Sequence, residues 1–250
     1  MHVEPEFEAL MKRLVPGCEH TWEGATDEDL AALAEESFGE PPPFYQWFLR
    51  TMGRSMGTLA QKVQDMRIST ILAAYRSSLV YPELDDLLIG RHPDEVAPNF
   101  ILYQLGVPAR DDALVVRHPD DHPTRRWPVF ETLREMLAFH LMGRFGVTPR
   151  PVVCDVALYS DSDPVLEQLT PVMDSAGFTS PVQTGLYCGL FESEAAMLIG
   201  HSTPRPGDER LLFCELGTQT EAAARQLLGR IGMETSLRVE TSRWKRSDGS

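Results

Sequence analysis

Two prolines within the five residues Val147–Pro151 constrain the fold of this chain more than any other feature. Proline cannot continue a helix, and the residue before it is biased toward extended backbone, so regular structure breaks here. Helical spacing of apolar residues dominates before this break, whereas short strands alternate with helices after it. A chain of 250 residues is long enough for two domains of ordinary size. The sequence therefore predicts an α+β protein with domains over 1–148 and 152–242, followed by a flexible tail over 243–250.

The first predicted domain begins with helices and continues into strands. Thr26 stands before three carboxylates and is a typical N-cap, and Pro43 suits the first position of a helix because its missing N–H is no loss there. Apolar spacing predicts helices over 4–14, 26–38, 44–52, 67–79 and 127–145, and a hairpin of two strands over 99–105 and 113–118.

The second predicted domain alternates strands with two helices. Strands are predicted over 152–159, 182–191, 195–202, 210–216 and 236–241, and helices over 164–176 and 218–231. This order resembles the ferredoxin-like split βαβ plan.

Acidic residues are concentrated at the beginning of the chain. The whole sequence has 37 Asp and Glu against 23 Lys and Arg, a formal net charge of −14. Residues 1–49 alone have 11 acids against 2 bases, which accounts for −9 of that total. Such a surface repels phosphate backbones, which disfavours nucleic-acid binding, and it attracts basic partners. Plain solubility is the alternative explanation for the same charge.

One short motif resembles a hydrolase nucleophile. Gly53-Arg-Ser-Met-Gly57 matches G-x-S-x-G, whose serine must stand on a sharp turn between a strand and a helix. Here a helix is predicted before the motif instead of a strand. We therefore interpret Ser55 as part of a turn after that helix.

No other pattern indicates catalysis, a metal or a cofactor. His118-Pro-Asp-Asp-His122 and His92-Pro-Asp94 hold metal-ligating residue types, but their spacing fits no closed metal site. His140 lies within a predicted helix, and the sequence contains no glycine-rich phosphate loop. The cysteines, which predict neither disulfides nor a zinc site, are Cys18, Cys154, Cys188 and Cys214. The chain is expected not to be an enzyme and to need no cofactor.

No apolar stretch is long enough to cross a membrane, and the first residues have neither the basic start nor the apolar block of a signal peptide. The expected location is the cytoplasm.

The region that begins GATDEDL and ends MGRSMG resembles the opening of the SUKH superfamily. Asp27–Leu33 corresponds to the acidic helix of that family, Phe38-Gly39 to its end, Pro42–Leu49 to the aromatic helix and Met52-Gly53 to the turn that follows. Pro41 departs from the pattern, since the family usually has leucine there. The resemblance covers about residues 1–120 and implies a mixed sheet flanked by helices.

Bacterial members of the SUKH superfamily are typically immunity proteins without enzymatic activity, and other members act as scaffolds. The resemblance implies an antitoxin that neutralises a cognate toxin with a basic face, such as a nuclease, with a regulatory scaffold as the alternative. A hydrolase based on Ser55 or the His118–His122 cluster is the third hypothesis. The carboxylates expected to meet the partner, on the acidic helix and at the hairpin turn, are Asp27, Glu28, Glu35, Glu36, Asp111 and Asp112.

Overall fold

The protein is an α+β fold with two antiparallel sheets. Its structure, a computed structural model, describes residues 4–37, 40–60, 64–80, 84–91, 99–119 and 126–246. The chain divides into two compact units, Met1–Arg134 and Glu135–Ser250.

The four helices predicted before residue 80 are confirmed. They are α1 (Pro5–Leu14), α2 (Asp27–Glu36), α3 (Pro43–Met52) and α4 (Ile68–Arg76). Thr26 caps α2, and Pro43 occupies the first turn of α3 as expected. Most of the large side chains of α3 are buried, which makes this helix the centre of the core of the first unit. Phe38 and Gly39, the predicted end of α2, lie outside the described residues.

The first sheet has the order β1-β2-β3-β4, and every neighbouring pair is antiparallel. Its strands are β1 (Asp86–Arg91), β2 (Asn99–Ala109), β3 (Asp112–Pro119) and β4 (Trp127–Phe130). The prediction of a mixed sheet is therefore wrong for the described strands. The hairpin of β2 and β3 is confirmed, but its turn is reduced to Arg110 and Asp111, because Arg110 adopts a positive φ of 59° and reverses the chain tightly.

The predicted helix over 127–145 is wrong at both ends. Residues Trp127–Phe130 form the edge strand β4, with Val116 paired to Pro128. An edge strand tolerates proline because one side of it needs no ladder hydrogen bonds. The helix itself, α5, covers Leu133–Leu141, and a π-helical turn follows over Met142–Val147. Apolar spacing could not separate the strand from the helix, because a strand of four residues is too short to show a clear alternation.

The second sheet has the order β6-β7-β8-β5-β9, again with antiparallel neighbours. The predicted strand over 182–191 is mostly loop, since its ladder begins at Cys188, and the last strand continues to Arg246. Residues 243–246 of the predicted tail are thus paired with β5, and 247–250 lie outside the described residues. The elements are β5 (Val152–Tyr159), α6 (Val165–Ser175), β6 (Cys188–Glu192), β7 (Ala196–His201), β8 (Leu211–Thr218), α7 (Glu221–Glu234) and β9 (Arg238–Arg246).

The two faces of the second sheet are covered differently. Helices α6 and α7 pack on one face, where Leu158, Leu198 and Leu216 belong to a continuous buried core. The π-helical turn packs against β7 and β8, and Ile199 is buried on this opposite face. The opposite face is open around the middle of β5, where Ala157 and Tyr159 are partly exposed.

The two units separate earlier than the proline break at Val147–Pro151. The division falls at Arg134, inside α5. Residues 135–147 belong with the second unit because the π-helical turn packs on its sheet, and Glu135 accepts a hydrogen bond from the Gly185 N–H at 2.7 Å.

No helix in the described parts of the chain combines the length and the apolar character needed to cross a bilayer.

Candidate functional site

Helix α2 is fixed at its N-terminus by a reciprocal capping box. The Thr26 hydroxyl accepts a hydrogen bond from the Asp29 N–H at 3.2 Å, and the Asp29 carboxylate accepts one from the Thr26 N–H at 3.0 Å. The carboxylates of the first turn also stabilise the positive end of the helix dipole. The acidic residues of α2 are therefore held on a well-defined helix.

The rotation of α2 determines which of its carboxylates reach solvent. The apolar spacing of this helix predicts an inner stripe of Leu30, Leu33 and Ala34 that faces the core. Leu33 is buried at 1% exposure and Leu30 is half-buried, as expected. Ala34 is exposed, however, so its predicted place in that stripe is wrong. Asp27, Glu28 and Glu35 are exposed, and Glu36 is partly buried. The outer surface of α2 is thus as acidic as the sequence suggests.

Three arginines from later in the first unit pair with carboxylates of α2. Arg54 contacts Asp29 at 2.7 Å, and this guanidinium, together with the hydrogen bond from Thr26, lowers the pKa of Asp29. The other two pairs, more open to solvent, are Arg50–Asp27 at 3.3 Å and Arg76–Glu36 at 3.4 Å. Sequence reasoning did not identify these arginines as part of the surface, because only the tertiary structure brings α4 and the end of α3 with the turn after it near α2.

Within the described residues, Glu28 and Glu35 form no salt bridge. The α2 surface therefore keeps a net negative charge after its arginines are counted. We call the exposed carboxylates Asp27, Glu28 and Glu35, together with the partly buried Glu36, the α2 acidic face.

The two predicted acids of the hairpin turn do not belong to this face. Asp111 is 34% exposed, and both of its carboxylate oxygens accept hydrogen bonds from Arg134 at 3.0 Å. Its carboxylate is consequently committed to an ion pair inside the first unit.

Asp112 is buried at 3% exposure, so the prediction that it projects into solvent is wrong. Its carboxylate accepts hydrogen bonds from the Ala113 N–H at 2.9 Å and from the Arg134 N–H at 3.1 Å, in the first turn of α5. Burial raises the pKa of Asp112 to about 6, and these donors and Arg134 only partly offset that effect. The Asp112 side chain therefore caps the N-terminus of α5, although it is distant from that helix in the sequence. It is not available to a binding partner.

Arg134 joins the N-terminal segment to the hairpin turn. Its guanidinium donates two hydrogen bonds to the buried carboxylate of Glu4, at 2.7 and 2.9 Å, besides those to Asp111. It also lies 4.7 Å from the centre of the Phe44 ring. With a side chain only 11% exposed, Arg134 is the centre of a buried ion-pair cluster that stabilises the first unit.

The serine of the G-x-S-x-G motif lies in a turn after α3, as the sequence indicated. Its hydroxyl accepts a hydrogen bond from the Gly57 N–H at 3.0 Å, and its backbone bridges to Glu23. Gly57 has a positive φ of 54°, and a side chain there would collide with Thr21. The geometry is that of a local turn packed against the preceding segment.

All four cysteines are buried free thiols. Burial raises the pKa of Cys154 to about 11 and that of Cys214 further still, so neither thiol is reactive at neutral pH. Among the residues that the structure describes, no three His, Cys, Asp or Glu side chains are grouped so that they could hold a metal ion. Most of the His118–His122 cluster and all of His92-Pro-Asp94 lie outside those residues.

No protein-family model matches this chain, and no curated protein matches its sequence.

Proposed function

We propose that the protein is a non-enzymatic immunity protein that binds and neutralises a cognate toxin in the cytoplasm of the producing cell. Two observations support this proposal: the resemblance of the first helices to the SUKH superfamily, and the net negative charge that remains on the α2 acidic face. That face carries the proposal, because Glu28 and Glu35 lie exposed without a salt bridge among the described residues.

The arrangement of elements in each unit is compatible with the architecture we propose. In the first unit, helices precede a sheet, as the SUKH resemblance implies. In the second, the neighbouring strands β9-β5-β8-β7 and the helices that follow β5 and β8 match the order of a ferredoxin-like βαββαβ unit. Strand β6 would then be an addition at one edge.

The mode of action follows from charge. A nuclease holds a polyanion and therefore has a basic cleft, and an acidic helix face can approach that cleft and cover it. Long-range attraction of this kind mainly accelerates association, by roughly 10- to 1000-fold over an uncharged pair at low salt. Blocking a cleft requires no chemistry by the immunity protein itself.

The experiment combines rescue with kinetics. The gene is co-expressed with the toxic domain encoded beside it, and rescue of growth is compared for the wild type and the triple variant Asp27→Lys, Glu28→Lys, Glu35→Lys. Association of the purified pair is then followed by stopped flow at several salt concentrations. We expect the triple variant to associate at least tenfold more slowly and to lose most of the salt dependence. Its melting temperature should fall only slightly, because two of the reversed carboxylates lie exposed in the first turn of α2.

The matched control reverses three exposed carboxylates of the second unit, Asp161, Asp174 and Glu194. It changes the net charge equally and should associate much faster than the α2 variant. Equal slowing in both variants would contradict a specific role for α2. Absence of rescue by the wild-type chain would contradict the immunity function and favour the regulatory scaffold.

A further inference from the structure

The open face of the second sheet contains a groove with a volume of about 520 Å³. Pockets of roughly 300–1,000 Å³ are typical of sites for small molecules. Its floor is the short side chain of Ala157 in the middle of β5, which is surrounded by larger neighbours on the same face. We call it the sheet groove; the neighbours that matter below are Phe139, Asp155, Tyr159, Phe213, Glu215 and Glu240.

Strand register explains why the depression forms at Ala157. Phe213 of β8 lies directly opposite Ala157 on one side, and Glu240 of β9 lies opposite it on the other. Asp155 and Tyr159, two positions away along β5, point to the same face. Phe139 of α5 closes one wall, with its ring 5.7 Å from that of His201. The methyl group of Ala157 is thus surrounded by aromatic side chains and carboxylates.

Two carboxylates face each other in this groove, and no described cationic side chain lies within salt-bridge distance of either. Asp155 and Glu215 are directly opposite partners on neighbouring strands, an arrangement in which like charges repel. Neither carboxylate forms a hydrogen bond or a salt bridge with another described residue. Arg243 is the register partner of Asp155 on β9, yet it lies beyond salt-bridge distance.

A buried hydroxyl provides a second, independent observation. Ser202 lines the same groove, its residue is only 4% exposed, and its hydroxyl has no hydrogen-bond partner among the described residues. Buried hydroxyls are normally paired, so an unpaired one beside a cavity indicates a missing partner. A bound molecule with a hydrogen-bonding group would provide that partner.

The aromatic side chains of the groove indicate what the rest of the ligand is like, besides its hydrogen-bonding group. Phe213 is 59% exposed, which is unusual for so large an apolar side chain, and it lines the groove beside Phe139 and Tyr159. At one end of the groove, the Arg238 guanidinium already lies 4.4 Å from the centre of the Tyr159 ring. Aromatic faces and carboxylates together are suited to an organic cation, through cation–π contact and charge-assisted hydrogen bonds.

From this geometry we propose that the sheet groove binds a small organic cation, an ammonium group attached to an apolar body. The ammonium lies between Asp155 and Glu215 and relieves their repulsion, and the apolar body lies over Ala157 between Phe139 and Phe213. This function is independent of toxin binding, since every residue invoked belongs to the second unit.

The test uses the full chain and a pair of matched probes, 2-phenylethylammonium and the uncharged 2-phenylethanol. Binding is measured by calorimetric titration and by amide chemical-shift changes. We expect the cation to bind saturably and at least tenfold more tightly than the alcohol. Glu215→Gln and Asp155→Asn should each weaken binding of the cation about tenfold, as expected for loss of a charge-assisted hydrogen bond. Ala157→Leu, which fills the floor, should prevent binding of both probes.

Asp174→Asn is the matched control, because it removes one exposed carboxylate of the second unit outside the groove. It should bind the cation like the wild type. Equal affinity for the two probes, absence of saturable binding, or unchanged affinity in Glu215→Gln would overturn the proposal. Since Glu215→Gln keeps the α2 acidic face, toxin neutralisation by that variant stays intact whichever result is obtained.

Discussion

Two sets of acidic residues, one in each unit of this protein, have opposite surroundings. In the first unit, Asp29, Asp111 and Glu4 each contact an arginine, and the buried Asp112 accepts hydrogen bonds from two backbone N–H groups. In the second, Asp155 and Glu215 face each other across neighbouring strands, and neither has such a partner in the parts of the chain that the structure describes. These four carboxylates of the first unit are therefore compensated within the fold, whereas the second unit leaves a like-charged pair beside a groove.

This difference shows that charge density along a sequence does not locate a site by itself. A carboxylate that is already neutralised contributes to the stability of the fold, whereas one left beside a cavity is available to a ligand. Three predictions test this comparison, beginning with the largest expected effect.

Removing the arginine at the centre of the buried cluster should have the largest effect. Arg134→Met keeps most of the apolar stem but leaves the buried Glu4 carboxylate without its guanidinium. Breaking one partner out of a buried ion pair typically costs about 3–5 kcal/mol, because the remaining charge stays desolvated. We expect the free energy of unfolding of the first unit to fall by about that amount, measured by urea denaturation.

The control for this variant is Arg50→Met, which breaks the pair with Asp27, a side chain 92% exposed. Exposed pairs contribute at most about 1 kcal/mol, so this variant should unfold almost like the wild type. Similar losses in the two variants would show that the Arg134 cluster has no special role.

The second prediction concerns Asp112 and pH. Its pKa is raised from 3.8 to about 6 in the folded protein, so between these values the folded state binds a proton that the unfolded state has released. Stability must therefore fall as pH rises from 4 to 7, by about 2 kcal/mol for this group. Asp112→Asn cannot titrate and should lose this contribution. Its free energy of unfolding relative to the wild type should thus rise between pH 4 and pH 7.

The measurement is urea denaturation of both proteins at several pH values, and the quantity of interest is the difference between them. A difference that does not change with pH would mean that Asp112 titrates alike in the folded and unfolded states.

The smallest effect is expected in the second unit and has the opposite sign. Glu215→Gln removes the repulsion between directly opposite carboxylates, a contribution of roughly 0.2–1 kcal/mol. This variant should therefore melt at a slightly higher temperature than the wild type, although it loses a charge that the proposed ligand needs. The melting temperatures of the variant and the wild type are compared by scanning calorimetry without ligand. A lower melting temperature in the variant would show that Glu215 stabilises the sheet.

Local sequence signals are strong enough to predict most helices and strands, but not which strands pair with each other. Thr26 followed by carboxylates, and Pro43 after two other prolines, identified the starts of α2 and α3, because capping and proline geometry depend on adjacent residues. Local signals predict no strand at β1 and a helix at β4, since a strand of four to six residues is defined by its neighbours in the sheet.

The residues of the candidate sites show the same contrast between what local sequence predicts and what tertiary contacts decide. Exposure of Asp27, Glu28 and Glu35 follows from the amphipathic pattern of α2, so the sequence alone was sufficient to predict it. Burial of Asp112 one residue after the half-exposed Asp111 depends on the tight turn at Arg110 and on the approach of α5, which no local pattern encodes.

By itself, the sequence determined the α+β class, the helices of the first unit and the alternation of strands and helices in the second. These properties depend on side chains within about one helical turn of each other along the chain. The tertiary structure alone decided which acids meet arginines, which carboxylate is buried and which pair is left facing a groove. Residues such as Asp155 and Glu215 are separated by 60 positions in the sequence, and only strand pairing sets them opposite each other.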